Sequence, residues 1–327
     1  MKNENSCAIC GSKVKVSKKN LFDDRYGAMG RHSISQCANC GFGTTMLGIK
    51  RSELGKFYAD HYPLGVVNAT ELHSQIRMPH PIQAWLEGVD NVAHWYTRSG
   101  QKVLDLGSAS GISLLEIAAL GGEAYGVEPD PHGKRIASKL HLRVHQGFIS
   151  DNPFPTIKFD LITASQVIEH EPTPLKFLVD IRKKLAKNGR VVLSFPNYDA
   201  LYKHIFGKRW IHWHVPYHLN FFTKSSFNIL ANQAGFTIKN IRTITPNLWT
   251  IQQLRVLLTK AEEGVVNPAW KQLGHGKGVK NTPTISYKLL QLATRFAFWI
   301  IMPINRLIDS LGLGESYLVV LEPKDKV

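Results

Sequence analysis

From Gln101 onward the chain moves between two periodicities. KVLDL, EAYGVE, RVHQGFI, KFDLITAS and RVVLSFPN are short, nearly unbroken apolar runs, the pattern of strands buried on both faces of a sheet. Between them, GISLLEIAAL and PLKFLVDIRKKLAKNG repeat apolar residues at helical spacing, so each predicts a helix with one face on a core. The second is expected to close at Gly189, placed as the residue just past a helix C-terminus. Strands alternating with helices predict an α/β fold with a parallel, doubly wound sheet and a ligand at the C-terminal ends of its strands.

Outside this region the pattern changes. Residues 51–98, including ELGKFYADHYP, read as a helical lead-in. Residues 246–314 read as an insertion, first the Gly/Lys-rich HGKGVKNTP, then ISYKLLQLATRFAFWIIMPINRLIDSLGLG, an amphipathic to apolar helix pair bent at Pro303. The chain thus divides into 1–50, 51–98 and 99–327. The apolar FAFWIIMPIN falls far short of the roughly 20 residues that cross a bilayer. Flanked by Lys288, Arg295 and Arg306, the 285–311 segment suits either peripheral membrane contact or packing on the core.

The first 50 residues carry all four cysteines, as Cys7-x-x-Cys10 and Cys37-x-x-Cys40, each pair followed by glycine. A two-residue spacer lets two thiolates converge on one ion, and two such knuckles supply a closed tetrahedral zinc site. With KVKV and HSISQ as short strands between them, the segment reads as a zinc ribbon. Four thiolates leave no open position, so the zinc is expected to be structural. The polar start, MKNENSCAICGSK, has no apolar core of a secretory signal, and a thiolate site fits a reducing, cytoplasmic setting.

The candidate chemistry begins at the first strand-to-helix junction, VLDLGSASG. The turn reads D-x-G-x-x-x-G, and small residues there let a ligand approach the backbone. Glu128 ends the next strand about twenty residues on, where an acid is suited to two ribose hydroxyls. With FDLITASQVIEH and LAKNGRVVLSFPN next in order, the run resembles class I S-adenosylmethionine-dependent methyltransferases over residues 101 to about 245. That resemblance implies a seven-stranded Rossmann-like sheet whose last strand is antiparallel, with GFTIKNIRTI (235–244) and SYLVVLEPK (316–324) as its final pair. It implies S-adenosylmethionine as cofactor. By the same resemblance Asp105, Gly107, Ser108 and Gly111 lie against its methionine and ribose portions, and Glu128 binds the ribose. Phe148 and Ile149 stand where the family contacts adenine, with Asp151 the one acid near that turn, and Ser165 and Gln166 flank the transferred methyl.

Several acceptor chemistries lack their signature. The turn after the fourth strand is SQVIEH rather than the N-P-P-Y type of nucleobase amino-methylating enzymes. All four cysteines are committed to the ribbon, and only Glu169 and Glu171 stand near a catechol-type magnesium site. Base-assisted O-, N- or C-methylation remains. Methyltransferases with such a ribbon resemble enzymes of sugar and polysaccharide biosynthesis, implying a saccharide, nucleotide-sugar or related small acceptor. The formal charge of +15 suits an anionic one. It equally suits the alternative of an RNA methyltransferase, in which ribbon and basic surface bind nucleic acid.

RWIHWHVPYHLNFF, Arg209–Phe222, puts three histidines among five aromatic residues. His212, His214 and His218 match no metal-ligand spacing that includes an acid, and zinc already has four thiolates, so a metal role is set aside. The resemblance is strongest at YHLNFFT, and it implies an acceptor-facing wall before the helix KSSFNILANQAG, with Thr223 as its N-cap. Tyr217 and His218 are the expected acceptor-facing pair. His218 is the preferred base, followed by His214 and by His170 at the mouth of the fourth strand, since imidazole titrates near neutral pH.

Overall fold

The computed structural model describes residues 6–46, 69–78, 80–270 and 285–324, with the backbone course alone at 70 and 285–296. Part of the lead-in and the HGKGVKNTP segment lie outside the described residues.

The N-terminal segment folds as antiparallel strands β1 (Val14–Phe22), β2 (Arg31–Cys37) and β3 (Gly43–Thr45). A short helix α1 (Pro81–Glu87) lies within the 51–98 lead-in. Then come β4 (Lys102–Leu106), α2 (Ile112–Ala119), β5 (Glu123–Glu128), α3 (Pro131–Lys139), β6 (Val144–Gln146) and β7 (Phe159–Ser165). Helix α4 (Pro174–Lys184) leads into β8 (Leu185–Pro196). Beyond it lie α5 (Leu201–Phe206), β9 (Asn220–Phe221), α6 (Lys224–Gln233), β10 (Phe236–Ile244), α7 (Asn247–Leu257), α8 (Ile285–Ser310) and β11 (Ser316–Pro323).

Seven of these strands form one sheet in the order β10-β11-β8-β7-β4-β5-β6. Pairing is parallel from β6 to β8, and β11 runs antiparallel to both its neighbours. This is the Rossmann-like methyltransferase sheet with an inserted antiparallel strand. The central strands are apolar because both faces are covered: Val103, Leu104, Leu161, Ile162, Val191 and Val192 are fully buried.

Two local expectations are corrected. The α4 helix stops at Lys184, not near Gly189, because Leu185 turns extended and enters β8. Leu185, Val191 and Leu193 are worth more on the sheet than in another helical turn, and Gly189 lies inside the strand. The expected helix pair is one helix, α8, with Pro303 within it. Its C-terminal half is pinned by buried polar groups. Asn305 donates to Asn247 Oδ1 (2.9 Å) and Thr250 Oγ1 (3.0 Å) and accepts from Tyr202 (2.8 Å), and Arg306 pairs with Asp309 at 2.9 Å. Trp299, Ile300, Ile304 and Leu307 remain exposed on its other side. Among the described residues no helix is long and apolar enough to cross a membrane.

The N-terminal strands do not stand apart from the large sheet. β3 pairs antiparallel with β9, Gly43 opposite Phe221 and Thr44 opposite Asn220, making a four-stranded sheet β1-β2-β3-β9. Phe42 packs on Phe222 with ring centroids 5.4 Å apart, and Phe222 in turn meets Phe195 of β8 at 5.4 Å. Thr223 is the expected N-cap. Its hydroxyl accepts from Ser226 N–H (3.1 Å) and donates to the Cys40 carbonyl (2.8 Å), tying α6 to the second cysteine knuckle. Thr223→Ala removes both and should cost about 1–2 kcal/mol in urea unfolding, with Thr223→Ser recovering most of it. An alanine variant as stable as wild type would contradict the double role.

Candidate functional site

The chain leaves four parallel strands in succession at one edge of the sheet, and the loops there enclose a cavity of about 240 Å³. It is lined by Gly107 and Ala109 after β4, Glu128 to Asp130 after β5, Gly147 to Ile149 after β6, and Ser165 to Val167 after β7. His170, Glu171 and Phe177 complete it. Gly107 has φ +71°, and a Cβ there would come within 2.6 Å of Val167, so the backbone can pass only as glycine.

Glu128 is one of three acids lining this cavity, with Asp130 and Glu171. One Glu128 carboxylate oxygen accepts the Ala109 N–H and the other the Asp130 N–H, both at 2.8 Å. Burial nevertheless raises its pKa to about 7, against the lowering effect of those two N–H groups. Each oxygen keeps a lone pair, which is the acceptor set two vicinal hydroxyls require. Asp130 caps α3 by accepting the His132 N–H at 2.7 Å. Residues from four loops, an acid with unused acceptor capacity and a glycine passage fit a nucleoside-bearing ligand such as S-adenosylmethionine.

A second, smaller cavity of about 170 Å³ is lined by Arg25, Gln166, His170, Ile211, His212, His214, His218, Trp249, Gln252 and Trp270. Gln166 and His170 line both cavities. Gln166 is held in the left-handed region at φ +56°, its N–H donating to Ser194 O at 2.8 Å. His214 also has positive φ, +35°. Non-glycine residues persist in that region only where surrounding contacts over-determine them.

The turn after β7 and the histidine segment are joined by main-chain contacts. Leu219 N–H donates to Glu169 O at 2.8 Å, and the Asn220 amide donates to Glu171 O at 2.6 Å. His170 Nδ1 donates to Tyr217 O (2.9 Å) and His218 Nδ1 to His212 O (2.8 Å). A carbonyl only accepts, so both rings carry the proton on Nδ1 and present Nε2 as a lone pair. Burial, reinforced by Arg25, pulls His170 down to about 4. His214 and His218 are also lowered, by burial first and then by neighbouring rings and Arg25. Glu169 is fully buried, its pKa pushed up to about 8 by burial.

The four cysteines converge as their spacing predicts. Their sulfurs lie within 4.8 Å of one another, with Cys7–Cys40 at 3.6 Å and Cys10–Cys37 at 3.5 Å. Zinc–sulfur bonds of about 2.3 Å would set tetrahedral edges near 3.8 Å, so the donor set fits a zinc ion.

Not every expected residue reaches a cavity. Asp105 is buried beneath the turn, accepting from Thr163 at 2.6 Å. Gly111 begins α2 and Ser108 is buried, and neither lines the larger cavity. Tyr217 lines neither cavity, its hydroxyl lying 3.4 Å from Asp23 of the N-terminal segment. In its place the structure brings Arg25, whose guanidinium stacks on Trp270 at 3.9 Å and donates to Ile211 O. Asp23 folds that loop by accepting N–H groups of Arg25 (2.9 Å) and Ala28 (2.8 Å). Arg25, Trp249 and Trp270 belong to no motif, so nothing in their spacing could have marked them.

A Rossmann-like sheet with its cavity over β4, β5 and β7 defines the methyltransferase class of fold. The model of the methyltransferase-domain family matches residues 77–241, just over half the chain. The chain belongs to that family. Among curated proteins, it is 33% identical over 105 residues to the mitochondrial ubiquinone biosynthesis O-methyltransferase of Schizosaccharomyces pombe, covering 29% of this chain and 38% of that one. It is 30% identical over 112 residues to the ubiquinone biosynthesis O-methyltransferase of Glaesserella parasuis, covering 31% and 48%. The chain thus spans less than half the length of these relatives. Among solved structures, the [4+2]-cyclase SpnF superposes with a TM-score of 0.51 at 14% identity, covering 84% of this chain and 97% of that one, a likeness of fold.

The Glu128 carboxyl should titrate near 7 in the ligand-free protein, measured by carbon-detected NMR. Its folded pKa lies above the ordinary carboxylate value, so its contribution to stability is complete below about 4.5 and is lost as pH rises through 7. A measured value below 5 would contradict the desolvation of this site.

Proposed function

We propose that this protein transfers the methyl group of S-adenosylmethionine to a small polar acceptor, a saccharide, nucleotide-sugar or related natural product, with the cofactor in the larger cavity and the acceptor in the smaller. The observation that carries this is the shared wall: Gln166 and His170 line both cavities, so two ligands would meet there. Glu128 would hold the ribose hydroxyls, Phe148 and Ile149 the adenine, and Ser165 and Gln166 the methyl-bearing end. Asp105 and Gly111, with Ser108, would shape the turn rather than touch the ligand. The four cysteines would hold a structural zinc that fixes the N-terminal strands.

S-adenosylmethionine supplies an electrophilic methyl on a positive sulfonium. The chain has to align the acceptor and take its proton. Trp249 and Trp270 offer faces for a sugar ring, and Arg25 a cation for an anionic substituent. The acceptor's proton passes to imidazole, foremost that of His218, as the new bond to carbon forms and sulfur keeps the electrons of the old one. A cavity of about 170 Å³ walled by Trp249 and Trp270 supports a small acceptor over RNA, although the +15 charge suits either.

Incubation with methyl-labelled S-adenosylmethionine and fractionated cell extract should put label into soluble sugars or nucleotide-sugars. Label confined to RNA would sink the small-acceptor reading. His218→Ala should lower kcat by about a hundredfold or more, as loss of a general base does, with cofactor affinity within about twofold of wild type. Full turnover in that variant would exclude His218 as the base.

A further inference from the structure

The histidine segment, set apart from metal chemistry by its spacing, acquires an acid when the chain folds. Glu169, His170 and His218 each bring a ligand-competent atom to one point, all within 4.8 Å of one another. Glu169 is 0% exposed, and neither carboxylate oxygen has a hydrogen-bond partner among the described residues. A buried carboxyl group with both oxygens unpartnered costs about 1–3 kcal/mol even as the neutral acid, so it points to an absent partner.

We infer that Glu169, His170 and His218 form a site for a divalent transition-metal ion at the junction of the two cavities. The distance from Glu169 Oε1 to His218 Nε2 is 4.0 Å. Two ligands each about 2.1 Å from one ion can stand at most about 4.2 Å apart, so the Glu169–His218 pair already meets the limit and the remaining pairs, within 4.8 Å, need side-chain shifts of at most about 0.6 Å. Both histidines already have the arrangement a ligating imidazole needs. Each donates Nδ1–H to a backbone carbonyl, Tyr217 O or His212 O, which fixes the ring and directs Nε2 inward.

Two imidazoles and one carboxylate suit zinc, cobalt, iron(II), manganese or nickel rather than magnesium or calcium, which prefer all-oxygen shells. Three protein ligands leave a coordination position facing the smaller cavity, the mark of a catalytic rather than a structural site. The ion's presence does not depend on the methyl-transfer reading, but its role does. It would hold an acceptor hydroxyl beside the methyl-bearing end and make that hydroxyl more acidic. With the ion bound, His170 and His218 would be ligands. The proton-accepting role of His218 would then pass to His214, whose ring centroid is 4.8 Å from that of His218 and whose Nε2 has no hydrogen-bond partner among the described residues. Arg25 adds a positive charge to this neighbourhood, and Glu169 would supply the compensating negative charge once the entering ion displaces its proton.

The test uses the full chain with its thiolate metal retained, dialysed against Co²⁺ and analysed for metal content and visible absorption. Wild type should hold one Co²⁺ beyond the thiolate-bound ion, with d–d bands of nitrogen and oxygen ligation and paramagnetically shifted Nδ1–H signals from two histidines. Glu169→Gln and His218→Gln should each weaken that Co²⁺ at least tenfold while thiolate-bound metal and near-ultraviolet circular dichroism stay unchanged. His170→Gln is the second variant should either fail to fold, and it should weaken Co²⁺ likewise. Wild type that takes up no second ion at about millimolar Co²⁺, or a folded Glu169→Gln that binds it as tightly, overturns the site. Calorimetry with S-adenosylmethionine on the same samples separates the two ideas. Cofactor binding without Co²⁺ uptake defeats the metal alone, and Co²⁺ uptake without cofactor binding defeats the methyl-transfer reading and leaves the metal site standing.

Discussion

The two residues of β9 hold the two halves of this protein together. On one side Asn220 and Phe221 pair with Thr44 and Gly43 of the N-terminal sheet; on the other the Asn220 amide reaches three carbonyls of the turn after β7, Ile168, Glu169 and Glu171, at 3.3, 3.4 and 2.6 Å. Thr45 adds a hydrogen bond of 2.6 Å to the His218 carbonyl. The histidine segment is therefore clamped between the cysteine-bearing strands and the methyltransferase sheet. Its rings point where they do because the main chain on both sides is fixed.

That clamp also brings the N-terminal segment to the wall of the smaller cavity. Arg25, on the connection between β1 and β2, enters the smaller cavity because Asp23 folds the loop and Trp270 receives the guanidinium. The wall opposite Gln166 is thus made by three distant pieces of chain: the N-terminal loop, the 209–222 segment and the insertion after β10. The larger cavity uses none of these and is built from the ends and loops of the parallel strands, with Phe177 of α4. Such a division lets one fold keep its cofactor site while the acceptor site varies.

Much of the fold is legible in the chain. Continuous apolar runs mark the central strands, because strands covered on both faces need no polar alternation, and the C-x-x-C pairs mark the convergence of four thiols. The D-x-G-x-x-x-G turn and Glu128 lie where strand and helix periodicities meet, which is why their neighbourhood stands out. Pattern cannot supply contact at long range. Glu169 and His218 are 49 residues apart in sequence and 4.0 Å apart in space, and Tyr217 alternates away from the wall its neighbour faces. KKLAKNG continues the helical period of α4 past its true end, while sheet pairing claims Leu185 and the residues of β8.

The central claim is that the thiolate site supports the histidine wall. Hydrogen exchange of the full chain, supplied with zinc and then treated with a chelator, with S-adenosylmethionine affinity measured in parallel, tests it. Exchange across 211–222 should rise at least tenfold while the loops after β4 and β5 stay protected and cofactor affinity holds within about twofold. Unchanged protection across 211–222 once the metal is gone would contradict that claim.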